Sequence, residues 1–218
     1  VIGIVYATGV VVAADTREIH PGGGPPRDGV GKVMQAPWGV VSGGGREDML
    51  TRVKKSLEHR PNPSLGELHA LVALVLGEGT GVLPPTELLF SYEPRGPVAP
   101  PGPAGSSIAK SRPISERSVC RLRAVTLYRD DGAAGQPAPI RAAVLPPRDI
   151  DRQAVVRWIP HIGHDAHGAP VLRSREAAVA LIREGFVIFG AQSREVSPDL
   201  DLGIHEEGRR FFLTRLWW

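Results

Sequence analysis

Val10-Val11-Val12-Ala13-Ala14-Asp15-Thr16-Arg17 is an apolar run that ends abruptly in an acid, a hydroxyl and a base. Successive side chains on a strand point to opposite faces, so a run that is apolar at every position must be covered on both. The stretch therefore predicts an inner strand ending in charge. Ile2 to Tyr6 is also β-rich, and Ala7-Thr8-Gly9 is the turn joining the two strands. Farther along, Lys32 to Gln35 and Trp38 to Ser42 flank a turn at Ala36-Pro37 and read as a hairpin, which Gly43-Gly44-Gly45 is expected to break. His20 to Gly31, rich in glycine and proline, is a loop between them.

The pattern then changes period. From Arg46 to His59, Met49, Leu50, Val53 and Leu57 share one helical face, with Arg52, Lys54 and Lys55 largely on the other. Ser64-Leu65-Gly66-Glu67 has the form of a capping box, and Leu65, Leu68, Leu71, Val72, Val75 and Leu76 follow it as a second helix. Thr86 to Tyr92 reads as a strand. Arg121 to Arg129 reads as another, turning at Asp130-Asp131-Gly132 toward Ile140 to Leu145 as its partner. Ser174 caps a long helix to about Gly190, with Val179, Ile182, Phe186 and Phe189 on its apolar face. Leu200 to His205 and Arg210 to Trp217 close the chain as two strands. Strands, two helices, strands, helix, strands is the order of an α+β fold, expected as four layers, α-β-β-α, with two antiparallel sheets between helices.

Composition narrows the function classes. The 218 residues suit one domain of this size, 1–218, with irregular Pro/Gly-rich loops around 93–107 and 130–170. The 26 basic and 23 acidic residues leave a net charge of +3, too little for the basic stripe of a nucleic-acid binder. Only four of the basic residues are lysines, namely Lys32, Lys54, Lys55 and Lys110. No apolar run reaches membrane-spanning length and no signal-peptide pattern opens the sequence, so a cytoplasmic location is expected. Cys120, the single cysteine, rules out an internal disulfide framework.

Val10 to Arg17, Gly31-Lys32-Val33 and Val40-Val41-Ser42-Gly43-Gly44 together resemble the N-terminal half of proteasome β-type subunits, members of the N-terminal-nucleophile (Ntn) hydrolases. The pattern covers roughly the first 48 residues, with a looser match over Ser174 to Ile204 and none between about Thr80 and Pro170. The resemblance implies an Ntn-hydrolase sandwich in a ring-shaped, self-compartmentalising peptidase, built from copies of the chain or related subunits. Its substrate would be peptide, hydrolysed as a threonine-type endopeptidase through an acyl-enzyme, without a cofactor.

In that design the chain's own α-amino group is the base, a lysine ammonium stabilises the ionised nucleophile, and a carboxylate keeps that lysine charged. By the resemblance Asp15 is the carboxylate and Lys32 the ammonium, while Gly43 or its neighbour offers a backbone N–H to the oxyanion. Arg17 would support the loop after Asp15, and Glu195 and Ser197 would lie near the nucleophile, although the family usually has Asp where Glu195 stands. Family spacing puts the nucleophilic threonine two residues before Val1, which has neither hydroxyl nor thiol. A silent structural subunit of a ring and an Ntn amidase acting on a small amide are the competing readings. Taken one by one the same residues have plainer explanations: a turn with a local ion pair at Asp15 and Arg17, a strand-edge lysine at Lys32. His161, His164 and His167, with Asp165, read as a solvated loop in preference to a metal site, because Pro160, Gly163, Gly168 and Pro170 surround them. Trp217-Trp218 fits either a subunit contact or burial against the domain's own sheet.

Overall fold

The computed structural model describes residues 1–19, 24–45, 47–61, 63–77, 87–93, 125–130, 137–147, 149–151, 153, 155, 158, 172, 174–208 and 210–217. They form an α+β protein with two five-stranded antiparallel sheets and three helices. The first sheet has the order β10-β9-β2-β1-β8, from β1 (Ile2–Tyr6), β2 (Gly9–Asp15), β8 (Ala142–Val144), β9 (Asp199–Glu206) and β10 (Arg210–Trp217). The second runs β3-β4-β5-β6-β7, from β3 (Met34–Ala36), β4 (Gly39–Gly44), β5 (Glu87–Tyr92), β6 (Thr126–Asp130) and β7 (Ala138–Ile140). The helices are α1 (Glu47–Glu58), α2 (Leu65–Gly77) and α3 (Arg175–Gly190).

β2 is buried at every residue and lies between β1 and β9, as its unbroken apolar run requires. Alternation sorts its side chains: Val11 and Ala13 join a cluster with Ile182, Phe186 and Phe189 of α3, while Val10 and Val12 join Val40, Leu89 and Leu127 of the other sheet. A third cluster gathers Met34, Val41, Leu88 and Phe90 of that second sheet with Val53 and Leu57 of α1 and Leu68 and Val72 of α2. A polar link also joins the sheets, since His205 Nδ1 on β9 lies 2.9 Å from Ser91 Oγ on β5.

The helix boundaries follow the local chemistry. Ser64 Oγ accepts the Glu67 N–H at 3.2 Å and Glu67 Oε2 accepts the Ser64 N–H at 2.7 Å, a reciprocal capping box. Ser174 Oγ accepts from the Ala177 N–H at 3.2 Å and starts α3. Several boundaries differ from the sequence expectation. In the first hairpin β3 begins only at Met34, leaving Lys32 and Val33 ahead of it, and the turn falls at Pro37-Trp38, where proline cannot donate to a ladder. β6 continues through Asp130, which pairs with Leu88. β4 continues through Gly43 and Gly44, and the break falls at Gly45, whose φ of 123° suits a residue without Cβ. Ile140 to Leu145 is not one strand: β7 pairs with β6, then the chain passes through Arg141 and β8 pairs with β1 in the other sheet. Trp217 is 68% exposed. The expected loop at 95–107, Cys120, His161, His164, His167 and Trp218 lie outside the described residues. No described helix is long and apolar enough to cross a membrane.

The sheets approach closely at Gly203 on β9, where an added Cβ would lie 2.7 Å from Val33 Cγ1 and would also press on Val40. Gly203→Ala is expected to destabilise the fold by about 1–3 kcal/mol through overpacking. Urea unfolding should show a lower midpoint at an unchanged slope.

Candidate active site

β2 hands its last residue to a loop whose ends are tied together. The Thr16 N–H is shared by Ser197 Oγ at 3.0 Å and the Asp199 carbonyl at 3.1 Å. Ser197 donates its own proton to Asp199 O at 3.0 Å, which leaves the Thr16 hydroxyl to donate to Ser197 Oγ across 3.0 Å. Arg17 Nε and Nη2 fork onto Asp28 at 2.7 and 2.9 Å, and its Nη1 reaches the Arg194 carbonyl at 2.6 Å. The Val30 N–H bonds Thr16 O at 3.0 Å, and Glu18 and Arg27 exchange backbone hydrogen bonds. These ties return the chain to the end of β2 by position 30, and Lys32 arrives beside Asp15.

The two side chains meet: Lys32 Nζ lies 3.1 Å from Asp15 Oδ1 and also donates to the Arg17 carbonyl. Asp15 Oδ1 takes the Arg17 N–H at 2.9 Å as well. Both side chains are largely covered, 13% exposed for Asp15 and 26% for Lys32. Such a pair gains about 4 kcal/mol of attraction at an effective dielectric near 20. Desolvation offsets much of that, so the contact fixes geometry more than it stabilises the fold. The Lys32 main chain is held too. Its N–H donates to Asp201 Oδ2 at 3.1 Å, and Asp201 is in turn paired with Arg215 Nε at 2.8 Å. Its carbonyl accepts from Ser42 Oγ at 3.0 Å and from Lys54 Nζ at 2.6 Å.

Val1 closes this corner. It exchanges backbone hydrogen bonds with Leu145, at 2.9 and 2.8 Å. Its amino group lies within electrostatic reach of both Asp15 and Lys32. Burial lowers the pKa of that amine from 8.0 to about 6; Lys32 adds to the lowering and Asp15 opposes it. Leu145 leads on to the glycine corner, since a Cβ on Gly44 would stand 3.5 Å from Leu145 Cδ1. At Gly43 a Cβ would meet Glu87 O and Leu50 Cδ2, each at 2.6 Å, so only glycine fits. The β3–β4 ladder extends only as far as Met34 opposite Val41, and beyond that point β5 is the only ladder partner of β4 among the described residues.

Of the residues singled out from sequence, Asp15, Lys32, Arg17 and Ser197 therefore belong to one contiguous network. Glu195 sits half-buried in the turn that Arg17 grips through Arg194, with its N–H on Ser193 Oγ at 3.0 Å. Ser42, Lys54 and Asp201 were not foreseen. Lys54 carried a usable signal, since lysine is rare in this arginine-rich chain and two of the four lysines converge here. Among the described residues, no group of three or more His, Cys, Asp or Glu side chains is arranged to hold a metal ion. No protein-family model matches the sequence, and no curated protein matches it.

Removing the fork should loosen the loop. In Arg17→Ala the Val30 amide is expected to exchange several-fold faster in hydrogen-exchange measurements. Hydrogen bonds from Arg17 hold the Asp28 carboxyl below its ordinary value, with the guanidinium charge adding to them. The fork's contribution is thus full above the unfolded carboxylate pKa and is lost as pH falls through the depressed one. The wild-type loop should therefore approach the variant's exchange behaviour only below about pH 4.

Proposed function

We propose that this chain is a proteasome β-type subunit, an Ntn hydrolase whose two sheets and three helices stack as four layers, α-β-β-α. It works in a ring of like or related subunits and cleaves peptide bonds with a threonine that stands two residues before Val1 in the complete protein. The observation that carries this reading is the contact of Lys32 with Asp15 beside the first residue. The pairing register supports it. β1 and β2 match Ile2 with Ala13, so β1 continued backwards would bring the position before Val1 opposite Asp15 and the one before that opposite Thr16. A threonine there reaches the Lys32–Asp15 corner. The three apolar clusters, one against α3, one between the sheets and one against α1 and α2, support the layer order.

The reaction follows from the charges. The threonine's α-amino group takes the hydroxyl proton, and Oγ attacks the scissile carbonyl. The Lys32 ammonium stabilises the developing alkoxide, while Asp15 keeps that ammonium charged and aimed. The oxyanion is received by a backbone N–H at Gly43 or its neighbour. Collapse expels the leaving amine with the proton held by the α-amino group and leaves an ester on Oγ. Water, deprotonated by the same amine, then hydrolyses the ester.

Two measurements on the complete protein test the reading. Mass spectrometry of the mature chain from its native source should find threonine at the N-terminus, two residues before Val1. A natural start at Val1 overturns the proposal. Lys32→Ala should cut hydrolysis of a fluorogenic peptide by at least about 100-fold while the circular dichroism stays native. Undiminished turnover removes Lys32 from the reaction.

A further inference from the structure

One buried charge at this corner has no part in the reaction above. Lys54 lies on α1 at a half-buried position, on the side of the helix expected to face water. Its ammonium turns inward and donates to the Lys32 carbonyl at 2.6 Å, alongside the Ser42 hydroxyl at 3.0 Å. A carbonyl has two lone pairs, and both are taken here. Lys32 needs this hold because it precedes β3, whose first residue is Met34, so no strand ladder fixes its peptide. Its N–H end is anchored by Asp201, and Asp201 by Arg215. Lys54 and Ser42 supply the matching anchor at the carbonyl end.

We propose that Lys54 is a positioning residue, holding the Lys32 main chain from α1 so that the Lys32 ammonium meets Asp15. The catalytic consequence rests on the threonine-peptidase reading; the positioning itself does not. A lysine on a helix face can always extend into water. This one accepts burial beside a like charge, which an incidental surface contact would not repay. The charged groups acting on it are Lys32 and Asp201. Burial pushes its pKa down to about 8, Lys32 adds to the lowering and Asp201 opposes it. The ammonium is thus present at neutral pH and is lost in mild alkali.

The test uses the complete protein and peptide turnover. Lys54→Met should lower kcat on the order of 10- to 100-fold with KM little changed, as expected of a misplaced catalytic group. Lys54→Arg should restore most of the rate, and its melting temperature controls for folding. In the wild type kcat should fall as pH rises through about 8. In Lys54→Arg that fall should move to higher pH, because guanidinium keeps its charge. A crystal structure of Lys54→Met should show Lys32 Nζ withdrawn beyond about 4 Å from Asp15. Wild-type kcat in Lys54→Met, an alkaline fall that stays in place in Lys54→Arg, or an unmoved Lys32 overturns the proposal. If the wild type cleaves no peptide, the threonine-peptidase reading fails instead, and the crystal structure still decides the role of Lys54.

Discussion

A carboxylate at the end of a strand buried along its whole length needs a cation, and the geometry around the candidate site follows from how the chain supplies one. β2 has no solvent-facing side, so Asp15 cannot turn outward as an acid on a surface strand would. Lys32 is 17 residues away along the chain, beyond a glycine- and proline-rich excursion. The pairing therefore depends on cross-links within that excursion: the Arg17 fork on Asp28, the Thr16–Val30 hydrogen bond and the Glu18–Arg27 bridge. Ser197 extends the network into β9 by holding Thr16, the residue next to the carboxylate.

The pair itself contributes little net stability, because two largely covered charges lose about as much hydration as they regain in attraction. Its worth lies in placement. Lys32 is gripped at its N–H, its carbonyl and its ammonium by groups from β9, β4, α1 and the end of β2. Preorganisation of this kind is what an electrostatic role in a reaction requires, since a charge already in place pays no reorganisation cost when the transition state forms.

Much of this was legible in the sequence, for reasons that differ by element. The unbroken apolar run of β2, the capping box at Ser64, the N-cap at Ser174 and the apolar stripe of α3 are local signals, and local physics decides them. The pairing of Asp15 with Lys32 was reached through a resemblance, because spacing along the chain does not encode a contact across a loop. What escaped was decided by tertiary structure. Ile140 to Leu145 has one continuous β-like pattern, and nothing local marks Arg141 as the point where the chain changes sheets. Gly43 and Gly44 look like a break, yet they remain in β4 because they pair with Leu88 and Glu87 on β5, and the Glu87 carbonyl leaves no room for a Cβ at Gly43. Lys54 reads as part of a polar helix face until the Lys32 carbonyl is seen beneath it.

The change of sheet at Arg141 has a mechanical meaning. β7 is an edge of one sheet and β8 an edge of the other, with a single residue between them, so this hinge has no slack. Arg141 is itself tied down, its carbonyl taking the Val5 N–H at 2.8 Å. Leu145, just past β8, is stitched to Val1. β7, Arg141, β8 and Leu145 thus form one continuous tie from the second sheet, across the edge of the first, to Val1 at the corner that holds Asp15 and Lys32.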